Sequence, residues 1–585
     1  MSSGPLYLGF DLSTQQLKAI VVASDLTVVS EAKVDFDADF GAKYGIRKGV
    51  RINEAEGEVF QPVALWVDAV DLVLGRLRSK GCPMGRIMGI SGSGQQHSSV
   101  YWGRDAEAVL GNLDPARPLG EQLKGEHVLA FEFAPNWQDH STQKECDDFE
   151  AHLGGPQALA DATGSSAHHR FTGTQILRMR RRRPQVYEAT SRISLCSSFL
   201  ASVFLGRIAP FDISDVTGMN LWDIGAEAWN DALVELVAGA AGDAAARLRS
   251  KLGDVSTDGG VLLGSVSAYF VERFGFSADC RVTAFTGDNP ATILSLPLRP
   301  LDAIVSLGTS STFLMNTPHY KPDPSYHFMN HPTARGHYMF MLCYKNGGLA
   351  REKVRDALPK PSEADDKEKD VWATFNKSVL ETPPLDVRQG TKDPAKLGLY
   401  FPLPEIVPNV RAGTWRYTYD GSSLSEHTPE DTWTAAADAR AIVESQALSM
   451  RLRSQKLVSN IPEKPDLPPQ PRRVYLVGGG SLNPAIARAF GDVLGGAEGV
   501  YRLDVGGNAC ALGGAYKALW ACERGHGDEI QSFDELIGAR WKEEGNVQKV
   551  DVGYRPEEFK LYGDVLPAFE DMENRVLSVA RNLEI

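Results

Sequence analysis

Two polar turns in this 585-residue chain carry groups suited to phosphate oxygens. Asp11, Ser13 and Thr14 fall between the apolar runs LYLGF and LKAIVVASD, while Gly308, Thr309, Ser310 and Ser311 fall between residues 303–307 and 312–315. Turn N–H groups and hydroxyls wrap anions. Asp11 is itself an anion, and it makes sense beside phosphate when a Mg2+ held largely through waters stands between them. Lys18, on the return run, adds a cation. Asp288, in VTAFTGDNPATIL, closes an apolar run just ahead of Pro290. Ligands of open α/β sheets gather at the carboxyl ends of strands. A carboxylate there suits a proton acceptor for a hydroxyl attacking a γ-phosphate, a reaction that needs positioning more than a strong nucleophile. Each feature has a plainer alternative, a simple turn for the hairpins and a helix N-terminal residue for Asp288.

Other residues have the chemistry of polyol recognition. His97 follows Gln95 and Gln96 at a strand end, Arg170 (AHHRFTGTQ) can hold a hydroxyl or carbonyl oxygen, and Trp137 and Asp139 (NWQDHST) offer stacking and hydrogen bonds. His168 and His169 adjoin Arg170 without a third ligand at metal spacing, so zinc is not expected. The turn from Gly478 to Asn483 lies between a strand and a helix, where glycine lets a flat ring approach the backbone. No Gly-Lys dipeptide occurs, which excludes the P-loop architecture.

The elements that must position these groups read as α/β. Both polar turns are expected to close hairpins about half the chain apart, so two structurally related halves are expected, with two unrelated hairpins as the plain alternative. Residues 61–78 have helical apolar spacing and lead into the strand-like RIMGISGSGQQH. Residues 35–58 read as a loop excursion. The basic run 178–184 reads as the solvated end of a helix stopped by Pro184. Residues 358–430 mix helical (VWATFNKSVL) and strand-like (WRYTYD) pieces with loop, and 432–456 form a long helix. The proline-dense 460–473 is a stiff connector into VYLVGGGSLN, and 508–520 form a small-residue helix whose Gly513 and Gly514 point to close packing or a ligand surface.

A formal charge of -14 and a pI near 5.4 disfavour a nucleic-acid or anionic-lipid binder. Seven scattered cysteines without a C-x-x-C pair fit a reducing compartment. The N-terminus reads as a strand instead of a signal peptide, and no window has the length of a membrane span. A cytoplasmic protein without membrane or nucleic-acid partners is expected.

In order along nearly the whole chain, GFDLSTQQLK, ISGSGQQHSSVYW, WQDHST, RFTGTQI, ISLCSSFLASVFLG, FDISDVTGMNLWDI, FTGDNPA, VSLGTSSTF, YLVGGGSLN and NACALGGAY resemble the FGGY carbohydrate kinases. That family is a branch of the actin-like ATPase superfamily, and the resemblance is closest to its eukaryotic xylulose-kinase type. It implies an α/β protein with two ribonuclease-H-like domains flanking a catalytic cleft. Residues 1–280 are expected to bind mainly sugar and 281–555 mainly MgATP, with the placement of the tail 556–585 open. The implied reaction is ATP- and Mg2+-dependent phosphorylation of D-xylulose to D-xylulose 5-phosphate, feeding the pentose phosphate pathway. By matched position, Asp288 resembles the catalytic base, with Asn289 beside it, and His97 and Arg170 resemble sugar-binding residues. Asp11 resembles the Mg2+-associated aspartate, Thr14 and Lys18 belong to the first phosphate motif, and Gly308, Thr309 and Ser310 to the second. Gly479, Gly480 and Asn483 resemble adenosine-site positions, and Trp372 a further nucleotide contact. Two departures stand out. Ser13 replaces a glycine common among relatives, and AIVESQALSMR fits the family's second signature poorly. A kinase for ribulose or glycerol stays open as an alternative, as do a non-catalytic sugar or nucleotide sensor, a chaperone-type ATPase, and the choice between monomer and homodimer.

Overall fold

A computed structural model of the chain describes residues 4–359, 371–388, 390–428, 433–504 and 507–581. The chain divides into two compact units. Unit 1 takes Met1–Leu298, Pro322–Met339 and Val505–Trp541, and unit 2 takes Arg299–Lys321, Phe340–Asp504 and Lys542–Ile585. Each unit is thus assembled from several chain segments, where two consecutive blocks meeting at 280/281 were expected. Among the described residues no helix is long and apolar enough to cross a membrane.

The sheet of unit 1 runs in the order Leu262–Ser265, Arg281–Thr283, Ile87–Gly94, Leu6–Leu12, Gln16–Ala23, Val28–Asp35. Side chains alternate across a strand, and the first strand uses both faces. Leu6, Leu8, Phe10 and Leu12 join a core with Trp66, Val70 and Leu74 of the helix Val63–Ser79. Tyr7 joins Ala515 and Leu519 of the helix Ala509–Glu523 in a second core. That late helix belongs to unit 1 because its small residues let it lie against the sheet. A Cβ on Gly514 would stand 2.7 Å from Gly92 Cα, and one on Gly9 would run into the backbone of Ala511 and Ala515. Close packing is therefore the role of Gly514.

Unit 2 repeats the design. Leu6–Leu12 pairs antiparallel with Gln16–Ala23 and parallel with Ile87–Gly94. Likewise Ala303–Leu307 pairs antiparallel with Ser311–Thr317 and parallel with Arg473–Val477. Gly499–Leu503 follows in parallel and Val547–Asp551 antiparallel. The pattern of two related halves agrees with the matched hairpins in the sequence.

Two local expectations are corrected. Residues 35–58 are not all loop, since they contain the helix Phe36–Tyr44, whose N-terminus is capped by Asp35 accepting from Ala38 N at 3.0 Å and whose C-terminus is closed by Gly45 at φ 59°. The basic run is a solvated helix end only in part, at the exposed Arg181 and Arg182, because Arg178 and Arg183 are held by ion pairs. Arg178 is buried and donates to Glu58 Oε1 at 2.9 Å, Arg183 reaches the same oxygen at 3.0 Å, and Arg181 pairs with Asp148 at 2.6 Å. The helix Thr172–Arg182 does end before Pro184, which opens the next one, Pro184–Ala189. The long helix spans Ala435–Ser454, and the expected start at Thr432 lies outside the described residues.

Within unit 1, Lys517 Nζ donates to Asp212 Oδ2 at 2.6 Å with both side chains 0% exposed. Asp212 Oδ1 accepts from Thr286 Oγ1 at 2.6 Å and from Ser214 N at 3.0 Å. Breaking a buried pair by removing one partner strands the other charge. Lys517→Met is expected to destabilise unit 1 by about 3–5 kcal/mol, read as a lowered midpoint in chemical denaturation, and an unchanged midpoint would deny the pair this role.

Candidate active site

Asp288 opens the helix Asp288–Ile293 directly after the short strand Thr286–Gly287, which extends the unit 1 sheet by pairing with Ser93–Gly94. Its Oδ1 accepts from its neighbour's backbone, Asn289 N, at 2.8 Å and from Asn289 Nδ2 at 3.1 Å. Asn289 Nδ2 also donates to Gln96 Oε1 at 2.9 Å. The residue as a whole is half-buried. Burial of its surroundings, with the charge of Asp11 next, pushes its pKa up to about 7. Such a group is poised to take a proton near neutral pH. Gly287 is required here, since a Cβ would stand 2.6 Å from both Asp215 Oδ1 and Gln96 Cγ. Asp215, fully enclosed, is likewise raised to about 7, by burial first and then by Asp212 and Asp288, against a bond from Ser197.

His97 is buried and adopts φ 74°, a conformation uncommon for a non-glycine residue. Its backbone carbonyl accepts from Thr172 Oγ1 at 2.9 Å, and its ring lies 4.7 Å from that of Phe171. Nδ1 stands 2.9 Å from Gly218 O. A carbonyl only accepts, so Nδ1 carries the proton and Nε2 is left as an acceptor for a hydroxyl. Burial and the nearby Arg170 charge keep this imidazole neutral, its pKa well below the usual value. Arg170, also buried, places Nη2 3.0 Å from His327 Nε2 and lies over the Phe171 ring at 5.7 Å. Asp288, Asn289, His97 and Arg170 thus belong to one unit, with Gln96 linking the Asn289 side to the His97 loop.

In the first hairpin Asp11 pairs in register with Lys18. Asp11 is 4% exposed and accepts from Ser13 Oγ at 2.7 Å and Ser93 Oγ at 3.4 Å. Burial raises its pKa, opposed by Ser13, Lys18 and Ser93. Lys18 Nζ donates to Gly507 O at 2.6 Å, at the start of the late helix. The Thr14 hydroxyl is engaged in the protein, donating to Gln95 Oε1 at 2.9 Å and accepting from the half-exposed Trp137 Nε1 at 2.9 Å. Beneath it, Gln61 Nε2 donates to Thr14 O at 2.8 Å and Asn136 Nδ2 to Gln95 Oε1 at 2.7 Å. Asp139 is drawn into the same framework by accepting from Val59 N at 2.9 Å. Among the described residues no cluster of three or more His, Cys, Asp or Glu forms a protein cage for a metal. A lone buried carboxylate partnered by hydroxyls fits Mg2+, which keeps most of its waters and takes one or two carboxylates alongside phosphate.

Unit 2 gathers the remaining residues. The turn at Gly308, Thr309 and Ser310 receives the next segment directly, Gly347 N donating to Thr309 O at 3.1 Å and Gly348 N to Gly308 O at 2.8 Å. The glycine turn 478–480 abuts the same strand end, for a Cβ on Gly480 would stand 2.8 Å from Leu307 Cβ and 3.2 Å from Arg351 Nη2. A Cβ on Gly479 would meet open space. Asn483 caps the helix Pro484–Leu494, accepting from Ala485 N at 3.0 Å, and also donates to Asn376 Oδ1 at 2.6 Å. Trp372 precedes the helix Ala373–Glu381 that carries Asn376, and the Arg355 guanidinium lies 4.5 Å from its ring centroid. The two glycine-containing turns and Asn483 therefore converge at the ends of adjacent parallel strands, and the helix that follows Trp372 reaches Asn483 through Asn376.

Sequence reasoning missed Arg351, His327, Asp215 and the Asp212–Lys517 pair. Arg351 is a buried guanidinium whose Nη1 donates to Gln446 Oε1 at 2.6 Å, and burial lowers its pKa to about 10. Lys517 left a readable signal, a lone cation in the otherwise apolar stretch ALGGAYKALW.

Comparison with known proteins bears on the whole chain. Residues 132–295 match the N-terminal domain, and 303–522 the C-terminal domain, of the FGGY family of carbohydrate kinases. A protein named probable D-xylulose kinase A from Neosartorya fischeri is 60% identical over 577 residues, covering 98% of each chain. D-xylulose kinase A from Aspergillus niger is 58% identical over 575 residues, covering 98% of this chain and 99% of its own. Among solved structures, xylulose kinase from Rhodospirillum rubrum matches with a TM-score of 0.72 at 18% identity, covering 98% of this chain and 100% of that one. Glycerol kinase from Plasmodium falciparum with ADP matches at 0.67 and 13%, covering 98% and 99%. These likenesses carry the two-domain, actin-like fold, and with the sequence relatives and both domain matches they establish that the chain belongs to the FGGY family of carbohydrate kinases.

Proposed function

We propose that this carbohydrate kinase transfers the γ-phosphoryl group of ATP to the terminal hydroxyl of D-xylulose, giving D-xylulose 5-phosphate and ADP in the cytoplasm. The observation that carries the reading is Asp288, at the end of a strand and with a pKa near 7, grouped with Asn289, His97 and Arg170 in unit 1. The names of relatives at 58–60% identity support the choice of sugar.

The sugar hydroxyl gives its proton to Asp288 as its oxygen forms the new bond to phosphorus and the bond from phosphorus to the ADP oxygen breaks. Asn289 holds Asp288 Oδ1 and so limits the directions in which the carboxylate can accept. Neutral His97 offers Nε2 to a sugar hydroxyl donor, and Arg170 donates to a hydroxyl or carbonyl oxygen. On the nucleotide side, Thr14, Lys18, Gly308, Thr309 and Ser310 are the proposed phosphate positions, and Gly479, Gly480, Asn483 and Trp372 the proposed adenosine positions. Mg2+, held at Asp11 through water, would neutralise phosphate charge when bound.

Asp288→Asn keeps the shape of the site and removes the base. Sugar KM is expected to stay close to the parent value while kcat falls by about 10²–10⁴, in a coupled assay of ADP release, and near-normal turnover would exclude Asp288 as base.

The base works only when deprotonated, so kcat/KM for sugar is expected to be present above pH 7 and to be lost as pH falls through about 7. Because the Asp11 charge helps raise that pKa, the residual activity of Asp11→Asn should show its acid limb at lower pH; a limb that does not move would assign it to another group.

With MgATP, D-xylulose is expected to stimulate ADP release above D-ribulose, L-ribulose, L-xylulose, glycerol and a no-sugar control. Preference for another member of the panel would move the substrate assignment, and sugar-independent ATP consumption would favour a chaperone-type ATPase.

A further inference from the structure

The strand His327–Asn330 lies in the segment Pro322–Met339, which unit 1 takes from within the region matched by the C-terminal family model. Two of its side chains reach sugar-side residues. Gln96 Nε2 donates to Met329 Sδ at 3.4 Å, and His327 Nε2 stands 3.0 Å from Arg170 Nη2. A guanidinium has only donors to offer, so His327 Nε2 is the acceptor and Nδ1 bears the proton. That proton has a receiver in Ser165 Oγ, 2.9 Å away. The tautomer is therefore set from both sides. His327 and Arg170 are each 7% exposed, and the Phe171 ring flanks both, 5.5 Å from the His327 ring and 5.7 Å beneath the guanidinium. A neutral imidazole orients a guanidinium without neutralising it, which preserves the positive charge for an electron-rich oxygen. A carboxylate in the same place would compete with the ligand for that charge.

We propose that His327 is a positioning residue for sugar binding, holding Arg170 Nη2 so that the guanidinium is aimed at a ketose oxygen. The inference rests on the reading of Arg170 as a sugar ligand in the proposed reaction. It also gives the excursion of residues 322–339 into unit 1 a functional purpose, since a strand from that segment completes the support of a residue far away in sequence.

The test compares His327→Leu, which removes the acceptor at similar volume, with His327→Gln, whose amide oxygen restores one near the place of Nε2. KM for D-xylulose is expected to rise about tenfold or more in the leucine variant, with KM for ATP unchanged, and the glutamine variant is expected to recover most of the loss. Ser165→Ala, which releases Nδ1, should raise sugar KM about threefold and decides the question if the leucine variant does not fold. The proposal is overturned by an unchanged sugar KM in a folded leucine variant, or in Ser165→Ala where the leucine variant fails to fold. Equal losses in the leucine and glutamine variants, or a parallel rise in KM for ATP, also overturn it. A parent enzyme that turns over no sugar overturns the proposed function and this inference with it, whereas an active parent with insensitive variants overturns this inference alone.

Discussion

The ion pair between Asp212 and Lys517 is shut away from water, and much of the geometry around Asp288 and His97 hangs on it. Neither charge can fall back on solvent, so each must keep its protein partners in place. Asp212 meets that demand by taking Thr286 Oγ1 and Ser214 N on its other oxygen. Thr286 stands two residues before Asp288, so the pair fixes the strand end that presents this carboxyl. The same loop continues into the turn Asp215–Met219, whose Gly218 carbonyl sets the His97 tautomer. Lys517 brings the third party, the late helix that backs the sheet. One enclosed charge pair thus couples Asp288, His97 and the supporting helix.

Around that anchor the unit tolerates three carboxyls, Asp11, Asp215 and Asp288, each pushed upward in pKa by burial. Mutual repulsion adds to the cost for Asp215 and Asp288. A fold selected for stability alone would replace such groups with apolar side chains. Perturbed carboxyls gather at functional sites, which supports the proposed placing of the ligand in this part of unit 1.

How much of this could be read from sequence follows from how local each signal is. The hairpins, the strand before Asp288 and the late helix were legible because periodicity and turn chemistry act over a few residues. Gly514 was legible for the same reason, since a glycine inside a helix signals close approach. The helix Phe36–Tyr44 carried its caps, Asp35 and Gly45, in plain view, but its few buried side chains gave no apolar stripe to recognise. The ion pairs of the arginine run were hidden because its partners, Glu56, Glu58, Glu145 and Asp148, are distributed over distant stretches. His327 was beyond sequence reasoning for a stricter reason. Its value comes from a partner 157 residues away, met only after the chain has left unit 1 and come back.

That repeated return shapes how the molecule can be made. The chain passes from one unit to the other five times, and the last segment of unit 1 ends at Trp541. During synthesis the first sheet can form its hairpin early, yet one of its faces stays uncovered until Ala509–Glu523 has been translated. At ~5–20 residues per second the delay from the first strand is on the order of half a minute to nearly two minutes. Unit 1 is therefore completed only after Trp541 has been made, and until then one apolar face of its sheet is left open to whatever apolar surface it meets.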